Sequence, residues 1–285
     1  MNEHEGQAFD EIWQKFEAGN NSQALQEHRD LANRIDDPWD RAWLQYYEIR
    51  FLVDMQNGLE ARQRLEDLKR TLASLVSSDS PSDGFELDAP VSLPMLARHA
   101  EIRVTIEEGK ETEALELIEK FLSRYPKQLS LSEFKALAEE VATLRGILLA
   151  NAGRWKDARH VLENVTPPKA SRGQYCHYLG RCYYEDKEYE RARSKLVEAL
   201  NIGLDTPTEG RAHYVLGLVE YHLSDMKAAK REFELSVKTA DPAYLGEDIW
   251  GWLEATSHAL GLQAEAENYR SIRMRSDSPP TSKIN

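Results

Sequence analysis

Cys176, His177 and Cys182 come nearest in this sequence to a metal-binding group, and they fall short of one. The two thiols stand six residues apart, no zinc-knuckle spacing surrounds them, and a fourth ligand is missing. They read as core cysteines. The eight histidines are scattered, with no HExxH pair, and the chain holds no Gly-x-Ser-x-Gly, P-loop or GxGxxG segment. No catalytic constellation, metal site or cofactor site can be assembled, so the expectation is a protein that is not an enzyme. The chemistry that does stand out is that of arginine beside aromatic rings. Arg50, Arg103 and Arg181 each lie in a segment rich in Tyr, His or Ile, and each has an acid four residues later, Asp54, Glu107 and Glu185. A guanidinium can fork onto a carboxylate and stack on a ring, which suits it to peptide recognition. The same spacing also allows an intrahelical ion pair, worth about 0.2–0.5 kcal/mol.

The elements that hold these residues repeat. Ala24, Ala61, Ala114, Ala158, Ala192, Ala229 and Ala266 each sit in the same kind of helical pattern. Twelve residues before them stand Ile12, Ile49, Ile102, Gly146, Gly180, Gly217 and Glu254. Four residues after them come His28, Leu65, Ile118, Leu162, Leu196, Phe233 and Arg270. Five residues before each alanine, at Gly19, Gln56, Gly109, Gly153, Lys187, Ser224 and Gly261, the chain must turn between two helices; glycine dominates that column, as it does where positive φ is needed. The polar residues that close the second and third columns suit a terminal unit with one neighbour. The array predicts about seven antiparallel helix pairs with one insertion, residues 77–94, rich in Ser, Asp and Pro and read as an acidic loop and a weakly packed joint. Around residues 130–151 the first helix of a pair is expected to be longer, with Ser130 and Glu133 as a capping box. Residues 276–285 read as a disordered tail.

Composition sets the class. With 285 residues, 41% hydrophobic and 30% charged, the chain can build a sizeable core. The net charge of −13, with ten carboxylates against three bases in the first 40 residues, disfavours nucleic acid and anionic membranes as partners. No run of 18 apolar residues and no signal-peptide pattern occurs, which places the expected compartment in the cytoplasm.

The pattern resembles tetratricopeptide repeats. In YCHYLGRCYYEDKEYERARSKLVEAL, Leu179, Gly180, Tyr183, Tyr189, Ala192, Leu196 and Ala199 stand in that family's order. Leu216, Gly217, Ala229, Phe233 and Pro242 follow it in the next unit, and Gly146, Gly153, Trp155, Ala158 and Leu162 in the one before. The likeness is clearest over residues 139–242. Two divergent repeats are assigned to residues 1–76 by spacing alone, and five repeats to 95–275. The resemblance implies an all-α, right-handed α-solenoid whose first helices line an inner groove. It places Tyr46, Arg50, His99, Arg103, His177, Arg181, Tyr184 and Tyr214 on that groove. The function it implies is a protein-protein interaction module, an adaptor, scaffold or chaperone-like protein, binding a carboxylate-bearing peptide segment of a partner. Two alternatives accompany it. One is an inhibitory protein that docks the acidic surface around Asp10, Glu11, Asp36 and Asp37 on a basic enzyme; the other is self-assembly through end units bearing Trp250 and Trp252.

Overall fold

The computed structural model describes residues 1–77, 93–241 and 248–276; the remainder, including most of the 77–94 insertion and the tail after residue 276, lies outside the described residues. The fold is all-α. Seven antiparallel pairs follow one another: α1 (Glu3–Glu17) with α2 (Asn21–Ala32), α3 (Pro38–Asp54) with α4 (Gly58–Ser77), α5 (Leu93–Glu107) with α6 (Glu111–Arg124). After the short α7 (Pro126–Leu129) come α8 (Lys135–Asn151) with α9 (Trp155–Glu163), α10 (Arg172–Glu185) with α11 (Tyr189–Ile202), α12 (Thr206–His222) with α13 (Met226–Thr239), and α14 (Ile249–Ala259) with α15 (Gln263–Ser276). The chain divides into two compact units, Met1–Phe134 and Lys135–Asn285, holding the first three and the last four pairs. The division falls at 134/135 and not at the 77–94 insertion, because α3 and α4 pack directly on α5. Tyr46 bonds His99, and Lys69 reaches Glu101 at 2.9 Å across that gap in the chain.

One local device builds every pair. At the seven turn positions φ lies in the left-handed region: Gly19, Gln56, Gly109, Gly153, Lys187, Ser224 and Gly261, at 57° to 85°. There the N–H one residue later donates to a carbonyl five residues back, as in Asn20 to Lys15, Glu188 to Tyr183 and Leu262 to Ser257, at 2.8–3.1 Å across the seven. This double-bonded closure satisfies carbonyls the ending helix would otherwise leave bare and reverses the chain. Each turn then launches the second helix, whose first full hydrogen bond is donated by the ladder alanine, from Ala24 to Asn20 through Ala266 to Leu262.

All seven ladder alanines are completely buried. They sit where the two helices of a pair approach most closely, so a larger side chain there would hold the helices apart. The columns on either side meet across the same contact. A Cβ on Gly146 would fall 2.5 Å from Leu162, one on Gly180 2.8 Å from Leu196, and one on Gly217 2.6 Å from Phe233. In the last pair the corresponding residues are Glu254 and Arg270, joined by an ion pair at 2.8 Å.

First and second helices differ in burial, and their sequences say why. In α12 every residue from Tyr214 to Glu220 is buried, and α3 and α5 are buried on most of their circumference, as befits helices apolar all round. By contrast α6, α9 and α13 bury one stripe and expose charged residues elsewhere. One expected element differs. The helix read from residue 130 begins at Lys135, after a 3-10 turn Ser132–Phe134; the Ser130 hydroxyl donates to the Lys127 carbonyl at 2.7 Å instead of capping. Pro126 ended the preceding helix early enough for α7 to form, and the buried Phe134 anchors the re-entry.

Candidate functional site

Each unit gathers four of the eight residues singled out from the sequence. In the first unit the ring of Tyr46 on α3 is buried and its hydroxyl lies 3.0 Å from Nδ1 of His99 on α5, which is itself fully buried. One turn after Tyr46, the Arg50 guanidinium lies over the rings of Trp13 and Tyr47, at 5.3 and 5.8 Å from their centroids. One turn after His99, Arg103 forms an ion pair with Asp54, the last residue of α3. Asp54, the acid four residues after Arg50, receives the arginine of the next pair. The Glu107 carboxyl is lifted above its ordinary range by burial, Arg103 drawing it down and Asp54 adding to the lift.

In the second unit His177 is buried on α10, and burial together with the nearby guanidinium groups of Arg181 and Arg211 pushes its imidazole down to about 3. It is therefore neutral at physiological pH. Arg181, one turn later, lies over the Trp155 indole at 4.7 Å. Tyr184 makes ring contacts with Tyr189 and with His222 of α12, and His222 stacks on Tyr189 at 4.7 Å. The Tyr214 side chain is buried with its ring tilted on Phe233.

The register thus separates two columns. Tyr46, His99, His177 and Tyr214, three residues before the small-residue column, are buried between helices; Arg50, Arg103 and Arg181, one residue after it, are half-buried and held by rings or by Asp54. A guanidinium lying flat on a ring keeps its N–H donors along its edge, in a fixed plane suited to a carboxylate. Buried aromatic residues behind it fix the helix that carries it.

Several participants escaped the sequence reading. Tyr47 near Arg50, and His222 against Tyr184 and Tyr189, had no place in the register, and Trp155, a repeat residue by its motif, meets Arg181 from the neighbouring pair. More systematic is a column of bases immediately after the ladder alanines. Arg62 donates to both oxygens of Glu108 at 2.7 and 2.8 Å, Arg159 to Asp186 and Glu188 at 2.6 Å each, Arg193 to Glu220 at 2.8 Å, and Lys230 to Glu265 at 2.8 Å. Each link runs from one pair to the next. The signal was present in the sequence, beside every alanine concerned.

Cys176 and Cys182 are free, buried thiols, pushed up by burial to about 11 and about 12, which keeps them protonated and unreactive. Trp252 stacks on Phe233 and meets Tyr221 edge-on, and Trp250 stacks on Tyr269, so both indoles pack within the last pairs. Among the described residues no helix is long and apolar enough to cross a membrane.

No protein-family model matches the sequence, and no curated protein sequence does. Solved structures do match. The chain superposes on apo RapI over 98% of its own length and 78% of that protein's, with a TM-score of 0.58 at 14% identity. It superposes on a Rap protein complexed with competence and sporulation factor over 96% and 77%, with a TM-score of 0.57 at 12% identity. A signal-transduction ATPase with a tetratricopeptide repeat sensor from Pyrococcus horikoshii gives 0.58 at 13% identity; 95% of this chain is covered but only 41% of that one. The chain has the tetratricopeptide-type helical-repeat fold.

Proposed function

We propose that this protein is a non-enzymatic protein-binding module, an adaptor, scaffold or chaperone-like protein working in the cytoplasm. Its faces bearing Arg50 and Arg103 in the first unit, and Arg181 and Tyr184 in the second, take up carboxylate-bearing segments of a partner protein. The observation that carries this reading is the mounting of the arginines. In a chain of net charge −13, the guanidinium groups of Arg50 and Arg181 lie over aromatic rings, Trp13 and Tyr47 for one and Trp155 for the other. Tyr46, His99, His177 and Tyr214 act from behind, as buried residues that set the helices. The fold adds support, since a Rap protein sharing it has been crystallised with competence and sporulation factor. Neither nucleic acid nor an anionic membrane suits the net charge.

The test is affinity capture from the native lysate by the full chain, beside a variant carrying Arg50→Gln, Arg103→Gln and Arg181→Gln, with helix content checked by circular dichroism. Recovery of the bound partner should fall by about tenfold or more, the loss expected when charge-assisted bonds are removed. Equal recovery by a folded variant sinks the reading. A second reading, docking through an acidic surface, is favoured by one feature, a cavity on the open side of the first helix pair.

A further inference from the structure

Inside the first unit, each pair after the first receives the second helix of the pair before it. The seat has a constant floor and rim. In the second pair Ile49 forms the floor, fully buried, and its neighbour Glu48 accepts Nε of Arg29 from α2 at 2.7 Å. In the third pair Ile102 is the floor, and its neighbour Glu101 accepts Nζ of Lys69 from α4 at 2.9 Å. An incoming helix therefore brings an apolar ridge, Leu31 or Leu68, and a base for the carboxylate; both leucines are buried.

The first pair repeats this register, and among the described residues no helix lies across it. Ile12 is the floor and Glu11 the rim, in the same register before Ala24 as Ile49 and Glu48 before Ala61. Between α1 and α2 lies a cavity of about 420 Å³ lined by Ala8, Glu11, Ile12, Glu27, Asp30, Asn33 and Arg34. Glu11 is exposed, whereas its counterpart Glu48 is buried under Arg29.

The charges of the empty seat also differ from those of the filled one. The second pair sets Glu48 and Asp67 around Arg64, which lies 3.2 Å from Glu48 and 3.7 Å from Asp67. In the first pair the residue in the place of Arg64 is Glu27, so Glu11, Glu27 and Asp30 stand together. Lys15 holds Glu27 at 2.6 Å, and among the described residues no ion pair reaches Glu11 or Asp30. This seat has one more carboxylate and one fewer cation than the occupied one.

We infer that the open side of the first pair is a docking groove for an amphipathic helix of a partner protein, bearing an apolar ridge and at least two basic side chains. A second copy of this chain fits poorly as the occupant. Its end helix α15 carries Arg273 where α2 and α4 carry Leu31 and Leu68, so it offers no apolar ridge to Ile12. The site is separate from the arginine faces, and its occupant has the opposite charge.

A fluorescent peptide with the sequence of residues 58–75, carrying Glu66→Gln and Asp67→Asn, reproduces a helix that fills an equivalent seat and leaves its bases in excess. Titrated against the full chain by anisotropy, it should bind, and the Glu11→Lys, Asp30→Lys variant should bind it about tenfold or more weakly. A control with the same change in net charge, Glu3→Lys and Glu116→Lys, should stay within about twofold of the native protein. The triple arginine-to-glutamine variant should bind as the native chain does, which separates this groove from the proposed peptide faces. Absence of binding to the native protein overturns the inference, as does equal weakening by both charge variants. So does a sedimentation mass that rises with concentration and is returned to that of the single chain by Glu11→Lys, Asp30→Lys, because the occupant would then be a second copy.

Discussion

Gly217 is glycine because Phe233 occupies the space a methyl group would need. Three ring atoms stand 2.6 to 3.0 Å from where its Cβ would be, and Gly146 and Gly180 meet Leu162 and Leu196 in the same way. Gly217→Ala should cost about 1–3 kcal/mol through forced repacking, despite alanine's better helix propensity, as read from the urea midpoint at constant m-value. A second consequence of burial concerns protons. His177 titrates in the unfolded chain near its ordinary value of 6.5 but is held down to about 3 in the fold. Between those values the unfolded state binds a proton that the native state does not, so stability falls as pH drops below 6.5. The slope approaches about 1.4 kcal/mol per pH unit for one such group. His177→Gln should flatten the stability curve between pH 6.5 and 5 by close to one proton. Carboxylates such as Glu108 and Glu198, drawn down to about 2 by their basic partners, lose their contribution only below the ordinary carboxylate range.

The helix pair is the element that the sequence made plainest. Glycine at four of the seven turns announced positive φ, and the same register carried the inference to Gln56, Lys187 and Ser224, which adopt it without being glycine. What stayed hidden were contacts between pairs. The base that follows four of the seven alanines is an ordinary exposed-face residue until its acid is located, and Glu108, Asp186, Glu220 and Glu265 stand 27 to 46 residues away. The site was legible to the same degree. Spacing found the arginines, yet which ring or acid holds them is decided by the neighbouring helix: Asp54 went to Arg103, and Trp155 to Arg181. One link between pairs is open to direct test. Glu220 is buried, its carboxyl lifted by desolvation and opposed by Arg193. Arg193→Met should cost about 1–3 kcal/mol by leaving that carboxylate alone. Adding Glu220→Leu should recover most of it in urea unfolding, since the buried charge goes with its partner.

At the scale of the molecule, the two units use one construction for different surroundings. The first is the more aromatic: Phe9, Trp13 and Phe16 of α1 interleave with Trp43, Tyr47 and Phe51 of α3. The second relies on glycine at the closest approach, facing Leu162, Leu196 and Phe233. The repeat register carried the class of fold, while the division at 134/135 had no composition signal, because the residues around Phe134 look like any link between pairs. The fold in turn sets what the charge can do. Ion pairs within and between helix pairs hold many of the acids, while in the first pair no ion pair among the described residues reaches Glu11 or Asp30.

The last pair shows what such a construction implies for an array under load. Drawn apart by its ends, a row of pairs bears force in series and yields at its weakest closure. In the second unit the closure of α14 with α15 differs in kind, with Glu254 and Arg270 in place of the glycine and the large apolar side chain of the pairs before it. A half-exposed ion pair resists separation less than a packed ring does, and resists it less still as ionic strength rises. The hold of that closure should therefore fall as salt rises while that of the glycine-closed pairs does not, which force-extension curves at low and high ionic strength would read.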